Sequence, residues 1–451
     1  MTPGTTGKRL RKLSGSDLLR TVAANFSARL LAILGLSLAT ILVARLGGPA
    51  AVGSYALMRM LPGLVGVLAV AGLPGAQAYF LSGPRRTSPR LWPTLMAILA
   101  VGSALGTVAW LLGATVLQST FFPRDSVLVV AAGGLTVATQ LFLTVGKTAL
   151  QGLEDRRGGD VVIAAEEIAF LPCYAVPLLL GWHGTAAVVA ALALADLTVG
   201  AYAWHRVSRR TGWRRWGLAG GEHGWVGRPD RKLAREVVVY GLRGQLGGVI
   251  TLLNLRLDFA ILGAMAGPAV LGTYAVASKY AEILRLPGTA LTWVCYPRLA
   301  GVSPDEAARR AWRMLRPALL GVAAAAVPMA LLTAPVIGLL YGDRFSAADG
   351  PARVLLLGML VGGGAGVASG YLYARGRPGS NSVATGIGLV FTVALDLLLI
   401  PRYGATGAAW ASAVAYLLTD LTLVLMLLRA TRSRSAAPAP VSHPGAVEVA
   451  P

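Results

Sequence analysis

Apolar residues do not alternate with polar ones along this chain; they run on in blocks separated by short loops rich in Gly, Pro, Lys and Arg. About 20 apolar residues in a helix cross a hydrocarbon core of about 30 Å. The blocks predict spans near residues 20–45, 50–82, 91–117, 126–151, 161–181 and 184–206. A second set follows near 236–265, 268–299, 312–340, 351–375, 381–400 and 404–429.

Composition supports the membrane reading. The chain is 55% hydrophobic and only 14% charged, with a mean hydropathy of +0.63, against about 25% charged in soluble domains. The net charge of +21 would suggest nucleic acid in a soluble protein. Here the basic residues gather in the loops, so the charge reads as topology and contact with anionic lipids on the cytoplasmic side, not as a nucleic-acid surface. One side carries Lys8, Arg9, Arg11 and Lys12, then Arg85, Arg86 and Arg90, Arg156 and Arg157, a long basic stretch to Arg235, and later Arg298, Arg309 and Arg310. The other side shows only Arg45, Arg124, Arg344, Arg353 and Arg402. This alternation predicts a multi-pass protein of the plasma (inner) membrane with both termini cytoplasmic.

The first apolar block lacks a small-residue cleavage pattern and is read as a retained helix. Cys173 and Cys295 lie in apolar segments without CxxC partners, as buried thiols do. The predicted organisation is a basic tail over 1–19, a six-helix half over 20–208, a linker over 209–235, a second half over 236–430 and a disordered Pro/Ala-rich tail over 431–451.

The halves echo each other. GGPAAVGSYAL, Gly47 to Leu57, returns as AGPAVLGTYAV, Ala266 to Val276, at an offset of 219 residues. LQGLEDRRGGD and LYARGRPGSNS occupy similar cytoplasmic ends. The last span of each half opens on a glycine, Gly184 and Gly404. Six spans is an even number, so both halves enter from one side, giving a parallel repeat. The predicted fold class is all-α: twelve transmembrane helices in two parallel six-helix repeats around a central cavity. In the repeated phrase, Gly ends a helix and Pro starts the next. Gly53 and Gly272 leave room for a neighbouring helix, and Tyr55 and Tyr274 are expected at the membrane interface.

The duplicated GPxxxGxYA, with NLRLDFAILG before the second copy and YPRLAG after it, resembles the polysaccharide (O-antigen type) flippase family. That family belongs to the superfamily that also holds multidrug and toxin extrusion transporters and lipid II flippases. The resemblance covers roughly residues 15–430. It implies flipping of a lipid-linked (polyprenyl-pyrophosphate) oligosaccharide, no cofactor, no catalysis, and polysaccharide-assembly proteins as partners.

Ionisable residues in mid-membrane are costly and point to function. Arg29, Arg59, Arg256 and Lys279 fall deep in the first two spans of each half, with Arg243 intermediate, and suit an anionic phosphate head. Arg29 and Arg59 have no acid nearby in sequence. Lys279, Glu282 and Asp258 are close enough to neutralise one another. Lys147 reads as a snorkelling residue; Arg285 admits either role. Asp258, Glu282, Asp396 and Asp420 are candidates for ion coupling or internal pairing. Pro62, Pro74, Pro172, Pro177 and Pro287 are expected to kink their helices.

Two rival functions stand beside this one. A multidrug and toxin extrusion antiporter binds organic cations, and members of that branch commonly carry an acid in the first span. Here no Asp or Glu occurs between Asp17 and Asp125. A membrane glycosyltransferase or ligase needs outward catalytic loops, for which only Tyr341 to Arg353, with Asp343 and Asp349, offers a candidate.

Overall fold

A computed structural model describes residues 15–83, 86, 88–211 and 228–435. Residues 1–14 and 436–451 of the two expected tails, and most of the linker, 212–227, lie outside those residues, while 15–19 and 431–435 are helical rather than tail. Among the described residues the regular structure is helical. The chain forms two compact units, Met1–Gly248 with Gly267–Gly272, and Val249–Ala266 with Thr273–Pro451.

The first unit opens with α1 (Gly15–Ala69) and α2 (Leu73–Ser82), followed by α3 (Leu91–Phe121), α4 (Val127–Ala132), α5 (Gly134–Gly152), α6 (Arg156–Ile168), α7 (Phe170–Leu179) and α8 (Gly184–Thr211). Helix α9 (Arg231–Glu282) begins here and continues into the second unit. The second unit goes on with α10 (Arg285–Ala300), α11 (Pro304–Tyr341), α12 (Asp349–Gly358), α13 (Gly362–Ala374) and α14 (Gly379–Ser435).

The predicted blocks do not map one-to-one onto continuous helices. Eight helices among the described residues are long and apolar enough to cross a membrane, nine if Asp343–Gly358 and α13, bent by 43°, count together as one span. The difference has two causes. Glycine corners let one helix run on into the next, so α14 holds two predicted spans and α1 and α9 each hold one predicted span and the first part of the next. Elsewhere a break divides one span in two. Pro74, Pro172 and Pro287 fall in the first turns of α2, α7 and α10, each just after such a break, where a missing N–H costs nothing. Pro62 and Pro177 remain inside helices.

The sequence echoes are structural echoes. Gly48 (φ 70°) and Gly267 (φ 80°) form the same corner, each followed by proline. Gly184 (φ 62°) and Gly404 (φ 52°) share a second one. A third pairs Glu154 (φ 57°) with Gly376 (φ 68°). There the amide of Asp155 donates to Leu150 O at 2.9 Å and that of Glu154 to Gln151 O at 3.0 Å. The amides of Arg377 and Gly376 donate to Leu372 O and Tyr373 O at the same two distances. Both are helix ends closed by a 6→1 and a 5→2 bond around a left-handed residue.

Leucines such as Leu112, Leu128 and Leu179 stand on the outside, the last 87% exposed. The interior of the second unit is built largely from alanines and small residues around Tyr371 and Cys295. Both features are those of helices packed closely within lipid rather than water.

Candidate substrate site

In the first unit, α1, α5, α6 and α8 converge on a cluster of embedded charges. Arg59, on α1, donates from Nη2 to Glu167 Oε1 on α6 and from Nη1 to the Tyr55 hydroxyl, 3.3 Å away one turn earlier. Lys147, on α5, holds Glu166 at 2.5 Å. Asp196, on α8, accepts from the Thr139 hydroxyl at 3.1 Å. Arg59, Glu166, Asp196, Gln140 and Thr144 line a cavity of about 120 Å³.

This arrangement corrects three sequence expectations. Arg59 has no acid nearby in sequence, yet folding brings Glu167 to it from 108 residues away. Lys147 is an ion-pair partner rather than a snorkelling residue. Tyr55 and Tyr274 are 3% and 0% exposed, so neither is an interfacial aromatic; both serve buried polar groups.

Arg29 is exposed on α1. Its Nε donates to Asn25 Oδ1 at 3.0 Å, and Asn25 in turn donates to Asp160 on α6 at 2.7 Å. Arg243 lies apart from that cluster, in a groove with Tyr79 and Tyr240.

The repeated glycines touch the opposite copy of their own motif. Residues 267–272 belong to the first unit, and there a Cβ on Gly53 would stand 1.8 Å from Pro268 O. A Cβ on Gly272 would stand 1.8 Å from Pro49 O. Each corner therefore accepts the backbone of the other where any side chain would collide.

The second unit repeats the tyrosine with opposite chemistry. Tyr274 donates to Asp258 Oδ2 at 2.6 Å and lies 2.9 Å from the Ser412 hydroxyl. Lys279 and Glu282 pair at 2.9 Å on one helix face, as their spacing suggested; Asp258 instead turns to Tyr274. Arg256 lies over the Phe259 ring at 5.5 Å and Arg285 over the Tyr416 ring at 5.2 Å. An aromatic face holds a guanidinium without neutralising it. Asp396 is fully buried, and neither of its carboxyl oxygens has a hydrogen-bond partner among the described residues. Asp420 lies on α14 beside Gly362.

Pattern alone missed Glu167, Glu166, Asp160, Asp196 with Thr139, and Ser412 as partners. Only Tyr55 with Arg59 left a local trace, since residues four apart share a helix face.

Glycine corners repeated along the chain, and ion pairs held inside a bundle of lipid-facing helices, define a polytopic membrane protein. Residues 17–302 match the polysaccharide biosynthesis protein family, and the chain belongs to that family. Among curated proteins none matches it significantly. Solved structures agree in fold. A lipid II flippase, MurJ, in its inward closed conformation is similar over 92% of this chain and 90% of its own, with a TM-score of 0.68 and 11% identity. An inward-facing MATE-family multidrug resistance transporter of the MOP superfamily is similar over 92% and 99%, with a TM-score of 0.70 and 13% identity. The MATE multidrug transporter DinF-BH reaches a TM-score of 0.59 at 17% identity over 95% and 98%. The chain thus has the fold shared by flippases and drug exporters of that superfamily.

Proposed function

We propose that this transporter flips a lipid-linked, polyprenyl-pyrophosphate oligosaccharide from the cytoplasmic to the outer leaflet of the plasma membrane. The product feeds cell-surface polysaccharide assembly, and the cycle is one of alternating access with both termini cytoplasmic. One observation carries the reading: the second unit keeps Arg256 and Arg285 on aromatic faces, with no carboxylate within ion-pair distance of either among the described residues. Such arginines keep their charge available for phosphate oxygens. In the first unit Arg59 spends two of its five donors on Tyr55 and Glu167, which leaves part of its fork for an incoming anion at the cavity it lines. Arg29 and Lys279 complete the set of substrate cations; Arg243 lies in a separate groove and is not among them.

Asp396 is the favoured coupling residue, taking up a proton or a monovalent cation during the cycle. A buried carboxyl without a hydrogen-bond partner gains most from either. Asp258, Glu282 and Asp420 are already committed to, or placed beside, other groups.

The decisive experiment reconstitutes the protein with a labelled polyprenyl-pyrophosphate oligosaccharide and follows leaflet exchange. Exchange that drops sharply in the Arg29→Ala, Arg59→Ala double variant supports the assignment. Wild-type exchange in that variant overturns the role of these two cations. Efflux of organic cations with no glycan exchange assigns the chain to the multidrug branch.

A further inference from the structure

A separate groove of about 720 Å³ opens between the end of α2 and the first turns of α9, within the first unit. Its walls are fixed at three points. At the start of α9, Asp230 accepts from the amides of Lys232 and Leu233 at 2.8 and 3.2 Å, while its own amide donates to Thr94 Oγ1 at 3.0 Å and Arg90 pairs with it at 3.3 Å. Deeper in, Gly241 meets the backbone of Ala71 and Gly72 so closely that a Cβ would stand 2.6 Å from Ala71 O. Between these points Tyr79 and Tyr240 stack at 4.4 Å, 17° from parallel.

On α9 the groove is lined by Lys232, Arg235, Glu236, Val239, Tyr240 and Arg243, which recur at three- and four-residue steps and so share one face. Arg243 lies eight residues, about 12 Å, below Arg235, and a long helical side chain leans toward the N-terminus. Lys232 and Arg235 lean the same way, so Arg243 remains a deeper cationic point about 12 Å below Arg235 along the helix. Three cations against the single carboxylate of Glu236 leave an excess of positive charge in the groove. The inner wall is apolar and aromatic: Val239, Phe80 and the exposed faces of Tyr79 and Tyr240.

We infer that this groove is a binding site for one anionic glycerophospholipid, its phosphodiester held by Lys232 and Arg235 at the mouth, its glycerol ester oxygens facing Arg243 below, and an acyl chain laid along Val239 and the tyrosine pair. Free phosphate would gain nothing from the apolar wall. An oligosaccharide would need hydrogen-bonding partners for its hydroxyls, and beyond the cations and the tyrosine hydroxyls the groove supplies only Ser82 and Glu236. The inference requires that the chain sit in a membrane and is independent of what it transports.

Native mass spectrometry of the full chain in detergent tests it. Phosphatidylglycerol adducts are expected at concentrations at least about tenfold lower than adducts of phosphatidylcholine with the same chains, a comparison that needs no variant. Arg235→Gln weakens phosphatidylglycerol binding about fivefold, and the Lys232→Gln, Arg235→Gln, Arg243→Gln triple about fivefold for each charge removed. A matched triple at exposed positions elsewhere, Arg156→Gln, Arg157→Gln and Arg209→Gln, leaves binding unchanged. Equal binding of the two lipids, or equal weakening by the two triples, overturns the site. Displacement of phosphatidylglycerol by inorganic phosphate, or by equimolar polyprenyl-pyrophosphate glycan, overturns the choice of occupant.

Discussion

The Tyr274 hydroxyl donates to Asp258 at 2.6 Å, and both groups are buried. In the equivalent place of the first copy, Tyr55 accepts from Arg59 at 3.3 Å. One repeated phrase thus delivers the same side chain to a carboxyl in one half and to a guanidinium in the other. A phenol can do both because its oxygen donates and accepts.

The two tyrosines are therefore expected to differ when their hydroxyls are removed. Tyr274→Phe leaves Asp258 with the Phe259 amide and Ser412 and costs about 2 kcal/mol, the scale of a hydrogen bond to an ionisable group. Tyr55→Phe leaves Arg59 on Glu167 and costs about 1 kcal/mol. Thermal unfolding of the two variants in detergent checks the order; equal midpoints would contradict it.

Gly53→Ala and Gly272→Ala each drive a methyl into a backbone carbonyl, and a carbonyl cannot rotate aside. Each is expected to lose about 3 kcal/mol or to force the corners apart. Gly321→Ala, in α11 with open space around it, is expected to be neutral or slightly stabilising. Melting temperature and transport measured together separate the cases.

Breaking the Arg59–Glu167 pair from one side leaves a half-buried carboxylate unpaired. Arg59→Ala is expected to cost about 2 kcal/mol, and adding Glu167→Gln is expected to recover about 1 kcal/mol of that loss. A double variant no more stable than the single one would show that the two residues are not coupled. Under the proposed role of Arg59 as a substrate cation, transport is expected to stay low in both.

Asp155, in the loop before α6, gives a pH signature outside the membrane. It is 1% exposed, and that burial raises its pKa. Hydrogen bonds from Arg210, Arg206 and the Gly158 amide outweigh the burial and hold it below the usual carboxylate value. Protonation then favours the unfolded chain. The stabilisation is complete above about pH 4, the ordinary Asp value, and is lost as pH falls further through the depressed one. Unfolding of the wild type should steepen its pH dependence in that acid window, and Asp155→Asn should be flat there.

Much was legible in the sequence because it depends on local rules. Apolar runs fix which segments enter a membrane, since unpaired backbone groups there must be satisfied within helices. Gly48–Pro49 and Gly267–Pro268 announce corners through φ preferences that act within two residues, and Lys279 with Glu282 announces a pair through helical spacing. The sequence by itself therefore determined an all-α membrane protein with a repeated plan. It could not determine which charges meet. Glu167 reaches Arg59, Ser412 reaches Asp258, and Pro49 reaches Gly272 only when distant helices pack, and neither periodicity nor composition encodes a contact across 108 or 154 residues. The tertiary structure decided that Arg59 and Lys147 are paired, that Tyr55 and Tyr274 are interior, and that Arg243 belongs to a groove of its own. The physical reason is the low dielectric of the interior. A buried charge is held by whatever partner folding brings within about 4 Å, so its role is a property of the packed helices and not of its neighbours in sequence.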